Sequence, residues 1–262
     1  MNYFSGIRYL RYLFISRHSR GQGIHSPFVF DLVSRVFRNK IDPAIVLRNE
    51  DIRKKLKSDN RKIKVTDMGA GSVKMKGNLR KISEIARNSA VPQKYCKLLA
   101  NMAGEFGNSS IIELGTSLGM STMYMAAARP DTVVYTIEGC PSVSEIARYN
   151  FSIAGLNNIS QLTGSFDEML PVLKEQGVKP GLVFIDGNHR KEPVLKYFNQ
   201  IIEMTDNDSV VVIDDIHLSN EMEQAWSEIR KMKNISFTID INRMGIIFFR
   251  KGMTHFDYVI KY

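Results

Sequence analysis

The 262-residue sequence predicts an α/β fold: a doubly wound, mostly parallel sheet that ends in an antiparallel hairpin and is preceded by a helical extension. Three observations predict it. From about Val91 onward, strand-like and helix-like segments alternate regularly. Strands such as "LVFI" and "VVVI" are apolar without interruption, the pattern of strands buried on both faces and therefore of a parallel sheet. The segment "SFTIDINRMGIIFF" near the C-terminus reads as two strands joined by a short turn.

The elements follow in order. Tyr3, Ile7, Leu10 and Phe14 recur at helical spacing with Arg8, Arg11 and Arg17 off that stripe, which predicts a short amphipathic helix docked on the body or on a twin subunit. A second helix opens in "HSPFVFDLVSRVF", with Ser26 as N-cap and Pro27 at the first helical position. Residues 48–64 are charged and weakly patterned. Beyond Val91, "SIIEL" is a strand and "STMYMAAA" a helix stopped by Pro130; "TVVYTIE" is the next strand, followed by a helix that a Ser142/Glu145 capping box opens. Then come strand "ISQLT", helix "FDEMLPVLKEQ", strand "GLVFID", helix "KEPVLKYFNQIIEM", strand "SVVVID" and helix "EMEQAWSEIRKM". The expected division is 1–90, a basic and mainly helical extension with a glycine-rich loop at 67–77, and 91–262, the sheet domain.

Composition excludes several classes. Hydrophobic residues make up 44% of the chain, enough for a sizeable core, and no run reaches the roughly 18 apolar residues of a membrane-spanning helix. Arg8 and Arg11 break what would be a signal-peptide core, so the N-terminus is read as retained. Cys96 and Cys140 are too few for a disulfide framework or a cysteine zinc site, which makes a reducing cytoplasm the default. Residues 1–64 hold 15 Lys/Arg against 5 Asp/Glu and the remainder 21 against 22, so the net +9 belongs to the N-terminal segment. Nucleic acid is the weaker reading of that charge, a solvated face the stronger.

Two stretches compete to be a nucleotide loop, "VTDMGAGSVKMKG" and "IIELGTSLGMST". Such a loop needs a buried strand before it, a helix after it, and an acid at the end of the next strand to take ribose hydroxyls. The second stretch has all three: Gly115 and Gly119 let backbone approach a ligand, Ser121 or Thr122 opens the helix, and "TVVYTIE" delivers Glu138, 23 residues after Gly115. The first stretch fails two of the three. It is expected to be a lid over the acceptor side of the site or a solvated linker. The spacing Gly115-x-x-x-Gly119 also lacks the G-x-G-x-x-G of a dinucleotide fold, which favours a cofactor with ribose and adenine but no phosphate.

On "ELGTSLG", "IEG", "GSFDE" and "FIDGNH", residues 91–249 resemble the class I S-adenosylmethionine-dependent methyltransferases, whose Rossmann-like sheet has seven strands with the last antiparallel. The resemblance implies that Glu113, Gly115, Thr116, Ser117 and Gly119 line the methionine side. It implies further that Glu138 takes the ribose hydroxyls, that Ser165 and Phe166 flank the adenine, and that Asp186 borders the cofactor. Methyl transfer needs an acceptor held in line and relieved of its proton by groups at the carboxyl ends of the fourth and fifth strands. Asp186 and His189 follow the fourth, and Asp214, Asp215 and His217 the fifth. Three converging carboxylates repel one another unless protonated or bridged by a cation. The pattern is similar to the cation-dependent small-molecule O-methyltransferases, which implies Mg2+ on Asp186, Asp214 and Asp215. His189, three residues after Asp186, is the candidate general base; Asn188 stands where those members of the family that modify sugars have an acid, which leaves that assignment open, with His217 as the other candidate.

The leading expectation is therefore S-adenosylmethionine-dependent O-methylation of a small hydroxylated molecule, with a divalent cation as a further option. The alternatives are a methyltransferase guided to RNA or protein by the basic N-terminus, and a catalytically silent adenosylmethionine-binding protein. A homodimer through the N-terminal helices is compatible with the amphipathic stripe.

Overall fold

The computed structural model describes residues 12–13, 16, 23–66, 77–253 and 255–262. The predicted helix through Tyr3, Ile7, Leu10 and Phe14 and most of the glycine-rich loop, 67–76, lie outside the described residues.

Helix α1 (Pro27–Asp31) starts as the sequence predicts: Ser26 Oγ accepts from Val29 N, Pro27 occupies the first turn, and a turn of π-helix continues over Leu32–Val36. Helix α2 (Pro43–Ser58) lies in the extension expected to be mainly helical and takes in much of the weakly patterned stretch 48–64. Its N-cap is Asp42, whose carboxylate accepts from Ala44 N at 2.8 Å. The buried residues Asn49, Ile52, Arg53 and Leu56 do have helical spacing. Two of the four are polar, so apolar periodicity alone does not reveal the stripe. Strands β1 (Lys62–Lys64) and β2 (Leu79–Lys81) form a small antiparallel pair. Its base packs beside Cys140 and Ser142: Thr66 N donates to Cys140 Sγ, and Ser142 Oγ donates to Lys64 O.

Helix α3 (Ile82–Asn88) and helix α4 (Gln93–Phe106) lead into the sheet domain. There β3 (Ile111–Leu114), α5 (Met120–Ala128), β4 (Val134–Glu138), α6 (Pro141–Ile153), β5 (Ile159–Thr163), α7 (Phe166–Glu175) and β6 (Leu182–Ile185) alternate. They are followed by α8 (Lys191–Ile202), β7 (Val210–Ile213), α9 (Asn220–Ile229), β8 (Phe237–Asp240), β9 (Gly245–Phe248) and β10 (Phe256–Val259). Strand order is β10-β8-β9-β7-β6-β3-β4-β5, parallel except where β9 runs antiparallel between β7 and β8. The predicted hairpin is present. An eighth strand, β10, pairs in parallel with the outer side of β8 and extends the sheet beyond the seven expected.

Both faces of the sheet are covered, and successive side chains serve opposite layers as a two-residue period requires. Leu182 and Phe184 join the core that includes α4, α5, α6 and the N-terminal helices, while Val183 and Ile185 join the core under α7, α8 and α9. One expectation fails locally. Helix α6 is capped by Cys140 with Pro141 in its first turn, and Ser142 spends its hydroxyl on Lys64, so no Ser142/Glu145 capping box forms. Proline's preference for the first helical position fixes the start two residues earlier.

Candidate active site

In a sheet of this order the chain crosses from β5 back to β6 on the far side of β3, so the strand direction of travel reverses between β3 and β6. A crevice opens at the carboxyl ends of strands at such a point. The loop after β3 and the loop after β6 meet there: Asp186 N donates to Leu114 O at 2.8 Å, and Asp214 N after β7 donates to Ile185 O at 2.9 Å. Gly115 sits at φ +104°, and a Cβ there would fall 2.1 Å from the carbonyl oxygen of Asp186. Only glycine allows this contact between the two loops.

The rest of the predicted loop is held from below and from the side. Glu113 has no exposed surface; its carboxylate accepts from the hydroxyls of Ser121, Thr122 and Thr136. With Thr136 donating to Glu113, Thr116 must donate to Thr136, at 2.6 Å, which fixes the turn. Glu113 thus lies beneath the loop rather than in its mouth, and burial pushes its carboxyl up to about 7 against the pull of those hydroxyls. Gly119 is the N-cap of α5 in a left-handed conformation, and Ser121 and Thr122 stand in the first turn. Glu138 reaches over the loop from the end of β4. One oxygen accepts from Ser117 N at 2.8 Å and the other from Cys140 N at 2.9 Å. A carboxylate has about four acceptor positions, so capacity for a ribose diol remains. Burial raises its pKa, opposed by the backbone donors.

Ser165 and Phe166 start α7. Ser165 and Glu168 form a reciprocal capping box, and the Phe166 ring lies edge-on to Tyr197 with centroids 5.3 Å apart. A Cβ on Gly187 would come within 2.6 Å of that ring, so the ring closes directly over the loop after β6. Ser89, Ala90 and Val91 face Gly115, Ser117 and Asp186 across the crevice. Sequence reasoning missed these three because they fall at the expected domain boundary and carry no reactive group.

Asp186 follows β6, and Asp214 and Asp215 follow the neighbouring strand β7. Asp186 is held well above the usual carboxylate range, first by burial and then by Asp214 and Asp215. His189 Nε2 lies 3.5 Å from Asp186 Oδ1. His217 is turned elsewhere, with Nε2 2.8 Å from Asp240 and Nδ1 3.2 Å from Glu223. A cation the sequence reading overlooked sits among the acids. Arg243, from the turn between β8 and β9, grips the fully buried Asp214 with Nε at 2.8 Å and Nη2 at 2.5 Å, and Nη2 lies 3.6 Å from Asp215. Its guanidinium carbon is 5.6 Å from the centre of the Tyr95 ring.

The expected metal ligands do not fit a divalent cation in this arrangement. Among the described residues, no group of three His, Cys, Asp or Glu side chains is placed to hold a metal. An ion on Asp214 would lie a few ångströms from a guanidinium, where each pair of unit charges repels by about 4 kcal/mol at 4 Å near a protein surface.

Residues 112–216 match a protein family described as a methyltransferase domain. Two curated relatives named catechol O-methyltransferase are similar to this chain. That of Niastella koreensis is 33% identical over 126 residues, covering 47% of this chain and 55% of the relative. That of Mycobacterium tuberculosis is 33% identical over 129 residues, covering 48% and 57%. The chain thus spans about half the length of the curated relatives it matches. Among solved structures, the O-methyltransferase TomG from Streptomyces achromogenes, crystallised with S-adenosylmethionine, superposes with a TM-score of 0.58 at 19% identity, covering 85% of this chain and 95% of that one. The likeness to TomG concerns the fold.

Proposed function

We propose that this chain, whose residues 112–216 match a methyltransferase domain, is a class I S-adenosylmethionine-dependent methyltransferase that transfers a methyl group to a hydroxyl of a small molecule. The observation that carries this reading is the meeting of two half-sites at the reversal between β3 and β6. A glycine-lined loop under Glu138 stands on one side, and Asp186 with His189 on the other.

Gly115, Thr116, Ser117 and Gly119 provide backbone that a ligand can approach closely. Glu138 offers acceptors to the ribose hydroxyls, and the edge of Phe166 beside Gly187 supplies an apolar wall for the adenine. Glu113 keeps the loop in shape through three hydroxyls. S-adenosylmethionine supplies a methyl group on a positively charged sulfur, ready for in-line displacement. His189 would take the proton of the acceptor hydroxyl on its imidazole as the oxygen bonds to the methyl carbon, while the carbon–sulfur bond breaks and its electron pair stays on sulfur as a neutral thioether. Asp186, 3.5 Å from Nε2, stabilises the imidazolium that results. Holding the two reactants in line is worth more than any single group.

The catechol-type relatives support a hydroxylated aromatic acceptor as the first choice. The test is transfer of labelled methyl from S-adenosylmethionine to a panel of catechols and other small phenols, with product analysis. An O-methylated product lost in His189→Gln is the expected result; no product from any acceptor, with cofactor binding intact, would contradict it and favour a silent binding protein.

A further inference from the structure

We infer that Arg243 stands where a divalent cation would be at this site, so that the charge of Asp214 and Asp215 beside Asp186 is offset in part by a residue of the chain and the site works without a metal ion. The inference rests on reading this cleft as the acceptor side of a methyltransferase. Its physical basis is the arrangement of the guanidinium.

Strand pairing brings Arg243 there. In the β7–β9 register Ile213 lies opposite Gly245, so counting outward along both strands sets Asp215 opposite Arg243. Ile216 N donates to Arg243 O at 3.1 Å, which carries the ladder past the strand end and fixes the backbone of the turn. The side chain is fixed as well. Asp214 engages two of its nitrogens, Asp215 lies at 3.6 Å, and Tyr95 presents a ring face from α4. A planar fork held by a bidentate carboxylate and an aromatic face is pre-organised in a way that lysine cannot reproduce. The turn itself is clamped from outside by His217, whose Nε2 is 2.8 Å from Asp240 at the end of β8.

The chemistry that follows differs from that of a metal site. A dication accepts a lone pair from the acceptor oxygen and makes its proton more acidic. A guanidinium can only donate hydrogen bonds and offset charge. Deprotonation then falls to His189, and Arg243 acts as a positioning residue that holds Asp214 and Asp215 and reduces the negative charge facing the oxygen as it loses its proton.

The test is Mn2+ binding to the full chain without cofactor, followed by electron paramagnetic resonance at neutral pH, for wild type, Asp186→Asn and Arg243→Met. The wild type should leave the free Mn2+ signal undiminished at millimolar metal. Arg243→Met, with the guanidinium gone, should acquire one site that binds at least tenfold tighter and that a second change, Asp186→Asn, removes. Stoichiometric Mn2+ on the wild type that is lost in Asp186→Asn would overturn the inference, and so would a folded Arg243→Met that gains no site. Should Arg243→Met not fold, Arg243→Gln takes its place with the same expectation, and the wild-type arm decides independently. Adenosylmethionine binding is measured apart from these, so loss of the methyltransferase reading would show as no cofactor binding whatever the metal result.

Discussion

The carbonyl oxygen of Asp186 stands 2.1 Å from where a Cβ on Gly115 would be, so the loop after β3 and the loop after β6 are in contact through a position that only glycine can fill. Gly115→Ala should therefore damage both halves at once. A side chain at φ +104° alone costs about 1–3 kcal/mol, and the contact with Asp186 adds to it. At roughly 2–4 °C per kcal/mol for a chain of this size, the melting temperature should fall by several degrees, with cofactor affinity lost in parallel. A variant that melts like the wild type and binds the cofactor equally well would show that the loops do not meet as described.

Glu113 gives the stability a pH dependence. Burial raises its carboxyl from the ordinary 4.5 to about 7, so the folded state binds this proton more tightly than the unfolded chain does. The stability it contributes is complete below about pH 4.5 and is lost as pH rises through about 7, at about 1.4 kcal/mol per pH unit within that window. Glu113→Gln keeps the shape and removes the titration. Thermal melts at pH 5, 6 and 7 should show a shallower decline for Glu113→Gln than for the wild type, and parallel curves would contradict the assignment.

His189→Gln separates chemistry from binding. Loss of a general base lowers turnover by about 10²–10⁴-fold, whereas the cofactor pocket on the other side of Asp186 is untouched. Steady-state kinetics should show kcat reduced, with adenosylmethionine affinity within twofold of wild type. A drop in affinity with kcat preserved would assign His189 to binding instead.

The parts of this fold written in apolar strands were legible in the sequence. "SIIEL", "LVFI" and "VVVI" each supply side chains to two cores, and the acids that follow the last two, Asp186 and Asp214, stand at the ends of adjacent strands beside the crevice. What escaped was written in other terms. Helix α2 buries Asn49 and Arg53 on the same stripe as Ile52 and Leu56, so it shows no apolar period. Strand β1 is "KIK" with only Ile63 half-buried, and nothing in three such residues marks a strand pair. Arg243 lies 29 residues from Asp214, and only the antiparallel pairing of β7 with β9 brings them together. Among the described residues, the crevice also takes one wall from Ser89–Val91, small residues that no motif distinguishes.

The central claim is that the loop under Glu138 holds adenosylmethionine, and titration calorimetry of the wild type and Glu138→Ala tests it most directly. The account predicts one cofactor per chain for the wild type and loss of measurable binding in Glu138→Ala, because Ser117 N and Cys140 N lose their acceptor together with the ribose contact. The same heat should appear with EDTA or with Mg2+ present. A wild type that binds no adenosylmethionine under either condition, or a Glu138→Ala that binds it equally well, would contradict the account.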